Sequence, residues 1–311
     1  MRSHLPGALL IVGAIMTACS PEPATPKASG EDDGKLSVYV VNYPLLYFAE
    51  RIGGDAVGVE FPLPADIDPA FWEPSPESIV PFQQADVILL NGAGYARWVE
   101  KVSLPETKLV DTSKSFATRF LQVEDAVKHS HGPQGEHSHA GTAFTTWLDP
   151  TLALEQAGAV RTALVNLRPQ HEAAFAKGFT ALERDLLDLD KRLQATVARD
   201  PKKPLVGSHP VYQYLARRYG LNLRSVHWEP DSAPDEKMWK ELQKLLESHP
   251  AKWMLWEGPP LGETIDKLER LGVRSTVFAP CGNVPEKGDF LSVLRNNARN
   301  LEAVFAEEGS Y

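Results

Sequence analysis

The sequence predicts two parallel-sheet α/β lobes joined by one long rigid linker helix. Three observations carry that expectation. Strand-length apolar runs alternate with helical segments over residues 35–128, and the same alternation returns over residues 203–311. Strands that are apolar throughout belong to a parallel sheet covered on both faces. Between the two, Phe175, Phe179, Leu182, Leu186, Leu189, Leu193 and Val197 recur at intervals of three and four residues, forming one apolar stripe over about 169–199. A helix of that length spans on the order of 45 Å at 1.5 Å per residue.

Arg2 begins a short polar stretch, and an unbroken run of apolar residues or Gly extends from Ala8 to Met16. This run is too short to span a bilayer as a mature helix, and it fits the h-region of a secretory signal. Met16-Thr17-Ala18-Cys19 follows, with small residues before the cysteine. Residues 1–18 read as a signal peptide. Residues 19–34, rich in Pro, Ala, Ser and acid, read as a flexible tether.

The N-terminal lobe is assigned to 35–148. Leu36–Val41, Val57–Phe61, Ala85–Leu90 and Lys108–Val110 are its strands. Pro44–Ile52, Ser75–Gln84 and Tyr95–Val102 are its helices, and Pro76 sits early in the second, where a missing N–H costs nothing. Residues 149–200 form a helical segment that includes the linker. In the C-terminal lobe, 201–311, strands fall at Pro204–Gly207, Leu223–Trp228, Trp253–Trp256 and Arg274–Phe278. Its helices are Val211–Tyr219, Glu236–Glu247, Gly262–Leu271 and Phe290–Glu307.

Composition narrows the function. Hydrophobic content of 43% and charged content of 23% are those of a globular protein, and a net charge of −9 argues against nucleic acid as partner. Beyond Cys19 only Cys281 remains, so no disulfide forms within the mature chain. There is no Gly-x-Ser-x-Gly, His-Glu-x-x-His or glycine-rich phosphate loop, so the chain is expected not to be an enzyme and to need no organic cofactor.

Four of nine histidines, His129, His131, His137 and His139, fall in eleven residues, interleaved with Ser, Gly, Pro, Gln and Glu. Neutral imidazoles on a solvated loop suit Zn²⁺ or Cu²⁺. In open parallel sheets ligands bind beyond the carboxyl ends of the strands. Those ends carry Asn42-Tyr43, the loop from Pro62 to Glu73, Asn91-Gly92, Ser208-His209, His227-Trp228-Glu229, Glu257 and Ala279-Pro280-Cys281. His209, Glu257 and Cys281 come from separate strands of one sheet, while His227 reads as strand-end packing. Trp72, Trp147, Trp228 and Trp256 lie near these ends and offer an alternative lining for a larger ligand.

At this point the chain resembles a family, the solute-binding lipoproteins of bacterial zinc and manganese ABC importers (cluster A-I). The resemblance covers nearly all of residues 35–305. It rests on Gly53-Gly54-Asp55, on Asp68-Pro69-Ala70-Phe71-Trp72-Glu73-Pro74-Ser75, and on Ala85-Asp86-Val87 with Asn91-Gly92. Further along it is carried by the histidine-rich loop before Trp147-Leu148-Asp149-Pro150, by Ser208-His209-Pro210-Val211-Tyr212-Gln213-Tyr214-Leu215-Ala216 with Tyr219-Gly220-Leu221, and by Trp256-Glu257. Met16 to Cys19 resembles a lipobox, which implies lipidation at Cys19 and a periplasmic or cell-surface location on a membrane anchor. The family implies two α/β lobes, a rigid linking helix, and a metal held between the lobes for a membrane permease.

The chain departs from the family where it matters most. The family's metal-binding positions fall on Ala70, Thr145 and Ala279, and only His209 keeps a ligand there. Zn²⁺ takes about four ligands, so the expected site is a rebuilt one: His209, with Glu257, Glu73 and Cys281 as further metal ligands. His129, His131, His137 and His139 form an auxiliary metal loop. The expected cargo is a divalent transition metal, Zn²⁺ first and Mn²⁺ next, carried by a monomer. Two alternatives stand beside it. One is the same scaffold holding a chelated metal or small organic ligand in an aromatic-lined cleft. The other is a surface lipoprotein that buffers metal or meets partners through the histidine loop.

Overall fold

The computed structural model describes Met1 and residues 34–64, 67–123, 128–130, 136–138 and 141–306. The lipobox cysteine Cys19, the signal segment and the tether lie outside these residues, as do His131 and His139.

Strands β1 (Leu36–Val40), β2 (Val57–Glu60), β3 (Val87–Leu90) and β4 (Leu109–Asp111) form the first sheet, in the order β2-β1-β3-β4 and parallel throughout. Helix α1 (Tyr43–Gly53) is capped by Asn42, whose side chain accepts from the amide of Leu45, and α2 (Pro76–Gln84) by Ser75, with Pro76 at its first position. Two short antiparallel pairs follow: β5 (Gln122–Val123) with β8 (Gly141–Thr142), and between them β6 (Lys128–Ser130) with β7 (Glu136–Ser138), where His129 stands opposite His137.

Helices α3 (Pro150–Leu167) and α4 (Glu172–Val197) lead to the second half. There β9 (Pro204–Gly207), α5 (Gln213–Tyr219), β10 (Asn222–Ser225), α6 (Glu236–Ser248), β11 (Trp253–Trp256), α7 (Gly262–Arg270), β12 (Arg274–Val277) and α8 (Phe290–Phe305) follow in order. The second sheet is also parallel, ordered β10-β9-β11-β12. Each sheet crosses over at its first strand, β1 or β9, so the carboxyl ends of these two strands mark the switch points where a ligand is accepted.

The linker expectation holds: α4 is a single 26-residue helix preceded by one 3₁₀ turn at Pro169–His171. Six of the seven stripe residues are buried, and Phe179 is half-buried under the Arg161 guanidinium, 4.9 Å from its ring centre. This face packs on α1, α3 and α8. Charges along its flank reach both halves. Asp185 pairs with Arg51 of α1 at 2.7 Å and Arg295 of α8 at 3.0 Å, and Arg192 grips Glu302 with two hydrogen bonds. Asp190 is held by Arg218 and by the Tyr219 hydroxyl. Residues 35–311 accordingly cluster as one unit, and α8 returns from the second half to set Phe290 against Tyr47 and Phe48 of α1.

One expected helix is absent. Tyr95–Val102 is a five-residue 3₁₀ turn, Arg97–Lys101. Gly92, Ala93 and Gly94 all take positive φ just before it, and Ala96 at its start offers no side-chain cap, so nothing begins an α-helix before Val102 turns extended. Beyond β10 the chain leaves the strand at Ser225, three residues sooner than the sequence predicts, although Val226 and Trp228 still donate to Gly207 and Ser208.

The closeness of α4 to α1 is testable at Gly178. A Cβ there would stand 2.5 Å from the carbonyl oxygen of Arg51 and 2.9 Å from Cα of Ile52. Gly178→Ala therefore destabilises the protein by about 1–3 kcal/mol of overpacking, although alanine is the better helix former by about 1 kcal/mol. Urea unfolding should move to a lower midpoint; a higher one would mean the helices are not in close contact.

Candidate metal-binding site

The second sheet presents its chemistry at the carboxyl ends of its strands. β9 runs on into Ser208 and His209, and this extension is gripped on both sides: Ser208 donates to Leu255 O at 2.8 Å and accepts from the Trp228 amide at 2.6 Å. His209 is only 2% exposed. Its Nδ1 lies 3.1 Å from Oε1 of Glu229, a carboxylate 21% exposed, and the His227 ring stands edge-on to it at 5.7 Å between centroids. The Ser208 hydroxyl is fully buried and has no hydrogen-bond partner among the described residues. A buried hydroxyl in that condition marks a place for water or a ligand.

On the other flank of β9, Glu257 follows β11 and is half-buried. Burial first, and then the charge of Glu257, push the Tyr212 phenol well above its ordinary pKa. That phenol donates to Phe278 O at 3.0 Å, which places the Glu257 charge close to the end of β12. His209 thus stands between two strand ends that both carry carboxylates, Glu229 on one side and Glu257 on the other.

The first sheet is different. Asn42 and Asn91, at the ends of β1 and β3, bond to each other, and Gln156 from α3 ties Asn91 to the Thr112 hydroxyl. Thr146 donates to Gln156. These buried groups satisfy one another.

The loops of the two halves meet directly. Thr145 donates its hydroxyl to Val211 O, two residues past His209, and Trp147 Nε1 donates to Pro280 O at 2.8 Å. The amide of Tyr43 donates to Gly282 O, and Asn283 donates to the carbonyls of Pro64 and Ile67. The positions singled out by the family resemblance therefore lie along one seam, with the chemistry altered. Ala70 is buried in a 3₁₀ turn capped by Asp68, Thr145 spends its hydroxyl on a backbone carbonyl, and Ala279 is held through its backbone by Asn297.

Two expected ligands are corrected. Glu73 is 79% exposed on the surface, where Lys101 takes its carboxylate at 2.9 Å. Cys281 is buried in the main core, and burial, then the charge of Asp289, push its thiol up to about 12. Metals bind the thiolate, so burial and the neighbouring negative charge both count against Cys281 as a ligand. The tryptophans are also corrected as a cleft lining. Trp72 packs on Phe82 and Trp98, and Trp228 between Trp239 and Trp256, inside their own halves, while Trp147 packs on Tyr95 at the seam with its Nε1 spent on Pro280 O. Among the described residues no three His, Cys, Asp or Glu side chains converge as a ready metal shell.

Sequence reasoning missed Glu229 and set His227 aside. The available signal was the His-x-Glu spacing just past a predicted strand. It needed the neighbour relation of β10 and β9 to become readable. Of the auxiliary histidines, His129 and His137 are described only as facing backbone positions in β6 and β7. The stem of that segment is beside the site: Val123 and Thr142 share a surface dent with Thr145, Pro210 and Val211.

Comparisons with known proteins agree with this architecture. A family model described as "ZnuA: Zinc-uptake complex component A periplasmic" matches residues 38–304. The chain is 26% identical over 290 residues to the zinc-binding lipoprotein AdcA of Streptococcus pneumoniae, covering 89% of this chain and 57% of AdcA, so it spans little more than half of that relative. It is 26% identical over 285 residues to the high-affinity zinc uptake system protein ZnuA of Bacillus subtilis, covering 88% of this chain and 87% of the relative. The crystal structure of the Zn(II)-bound ZnuA-like domain of Streptococcus pneumoniae AdcA superposes with a TM-score of 0.74 at 22% identity, covering 88% of this chain and 99% of that one; the likeness is one of fold.

The Cys281 environment has a direct chemical consequence. With a thiol pKa of about 12, roughly one molecule in ten thousand carries the thiolate at pH 8. Iodoacetamide at that pH should leave the Cys281 peptide unmodified in the folded protein and alkylate it in urea. Rapid labelling of the native chain would contradict the burial.

Proposed function

This chain belongs to the family of the periplasmic component A of zinc-uptake complexes, and on that premise we propose that it is an extracytoplasmic solute-binding protein of an ABC importer. It captures a divalent transition metal, zinc first and manganese next, at the seam between its halves and passes it to a membrane permease. The observation that carries this reading is the buried His209 imidazole at the switch point of the second sheet, flanked by Glu229 and Glu257.

His209 and Glu257 are the anchors of the metal. An imidazole nitrogen and a carboxylate oxygen are both within the preference of Zn²⁺, and a negative flank favours a dication. The first half contributes closure rather than ligands, since its polar ends are already hydrogen-bonded among themselves. The histidine-rich segment, whose stem adjoins Pro210 and Val211, is an auxiliary capture element that raises the local metal concentration beside the seam. The family relatives include a protein named as a lipoprotein, and Met16 to Cys19 fits the same processing: cleavage before Cys19, lipidation, and a tether to the membrane.

Zinc titration of the metal-free protein tests the site. His209→Ala should lose at least about tenfold in affinity, roughly 1.4 kcal/mol. Glu257→Gln, which keeps shape and removes charge, should also weaken binding. Deletion of residues 129–139 should lower the number of zinc ions bound while the tightest one remains. Equal titrations of His209→Ala, Glu257→Gln and the parent would reject the seam as the site. A deletion that removes all binding would leave a surface metal buffer instead.

Anchoring is tested separately by fractionating cells. Cys19→Ala should move the protein out of the membrane fraction, and persistence there without any lipid on the parent protein would refute the lipidation reading.

A further inference from the structure

We propose that Tyr214 is a positioning residue for metal capture: its hydroxyl, set into the root of the β5–β8 pair, fastens the base of the histidine-rich segment to the half of the protein that carries His209. This rests on the reading of that segment as an auxiliary capture element. It gives the segment a fixed point of attachment and names the residue that makes it.

The hydrogen bonds at that root carry the proposal. Gln122 stands opposite Thr142 and Val123 opposite Gly141, so Leu121 and Ala143 are the next facing residues. A facing antiparallel pair that bonds through its backbone exchanges two hydrogen bonds. Among the described residues only one is made, from Ala143 N to Leu121 O at 2.8 Å. In place of the other, the Leu121 amide donates to the Tyr214 hydroxyl at 3.2 Å, and that hydroxyl donates to Ala143 O at 2.9 Å. The phenol thus enters the ladder as a bridging water would, accepting from one strand and donating to the other. Burial pushes its pKa above the ordinary value, so the hydroxyl keeps the proton that it donates.

Tyr214 is itself held. Its side chain is fully buried in a small cluster with Phe116, Ala143 and Leu152, and the Arg217 guanidinium lies 5.0 Å from the centre of its ring. It belongs to α5, which begins four residues past His209. Thr145, two residues beyond the root, adds its own hydrogen bond to Val211 O. An excursion that leaves from the first half is therefore rooted on the second. Val123 to His129 is six residues and His137 to Gly141 is four, at most about 20 Å and about 14 Å of chain. Imidazoles tethered so closely meet the root at an effective concentration on the order of millimolar. Because the root is bonded to α5, that volume is centred beside Pro210 and Val211.

Tyr214→Phe keeps the ring and its packing and removes only the hydroxyl, so it is compared with the parent and with the chain lacking 129–139. Amide hydrogen exchange on the metal-free protein reads the attachment. In Tyr214→Phe the Leu121 amide should lose at least about fivefold in protection, the equivalent of one net hydrogen bond, while the amides of α6 exchange as in the parent. Stopped-flow capture of zinc from a fluorescent zinc chelator reads the delivery. Tyr214→Phe should take up limiting zinc more slowly, toward the rate of the deletion, with the affinity for the tightest ion unchanged; a general loss of folding would lower that affinity too. Unchanged Leu121 protection overturns the attachment. Lost protection with uptake as fast as the parent's, when the deletion is slow, overturns the positioning role. A deletion that takes up zinc as fast as the parent overturns the capture-element reading and the positioning role with it, on a signal separate from hydrogen exchange. Should Tyr214→Phe fail to fold, the parent decides: its Leu121 amide and its Tyr214 hydroxyl proton must both exchange slowly, and free exchange of either rejects the proposal.

Discussion

Everything in the molecule hangs on the apolar face of α4. Phe175, Leu182, Leu186, Leu189, Leu193 and Val197 are buried against α1, α3 and α8, so one helix holds the end of the first half and the last helix of the second. Burying a Leu or Phe side chain contributes about 1.5–3 kcal/mol each, so this stripe is a substantial source of cohesion. The ion pairs along its flank, Asp185 with Arg51 and Arg295 above all, set orientation more than stability, because they are partly exposed.

Those loops are chemically unequal. In the first half, Asn42, Asn91, Gln156, Thr112 and Thr146 close a hydrogen-bonded network among themselves. In the second, His209 lies 3.1 Å from Glu229 just past β9, beside the buried Ser208 hydroxyl, and Glu257 follows the neighbouring β11. The two halves meet through Thr145, Trp147 and Tyr43, each of which bonds to a backbone carbonyl of the second half.

The fold was legible because its signals are local. The three-and-four spacing of the α4 stripe, the apolar runs at Val87–Leu90 and Trp253–Trp256, and Pro76 at the start of α2 are all set within a few residues. The turn at Arg97–Lys101 was misread because its apolar spacing looks helical, while the three positive-φ residues that precede it leave only a faint mark in sequence. At the candidate site, the positions of His209 and Glu257 just past their strands were legible, because the strands themselves were. It was not legible at Glu229, whose partner depends on β10 lying beside β9, nor at Glu73, whose carboxylate is claimed by Lys101 twenty-eight positions later. Cys281 was chemically plausible as a ligand until its burial was known.

Crystals grown with zinc and measured at its absorption edge test most directly whether His209 holds metal at the carboxyl end of β9. An anomalous peak is expected about 2.0–2.1 Å from a ring nitrogen of His209, with Glu257 among the nearest carboxylates. A strong peak elsewhere with the end of β9 empty would contradict this.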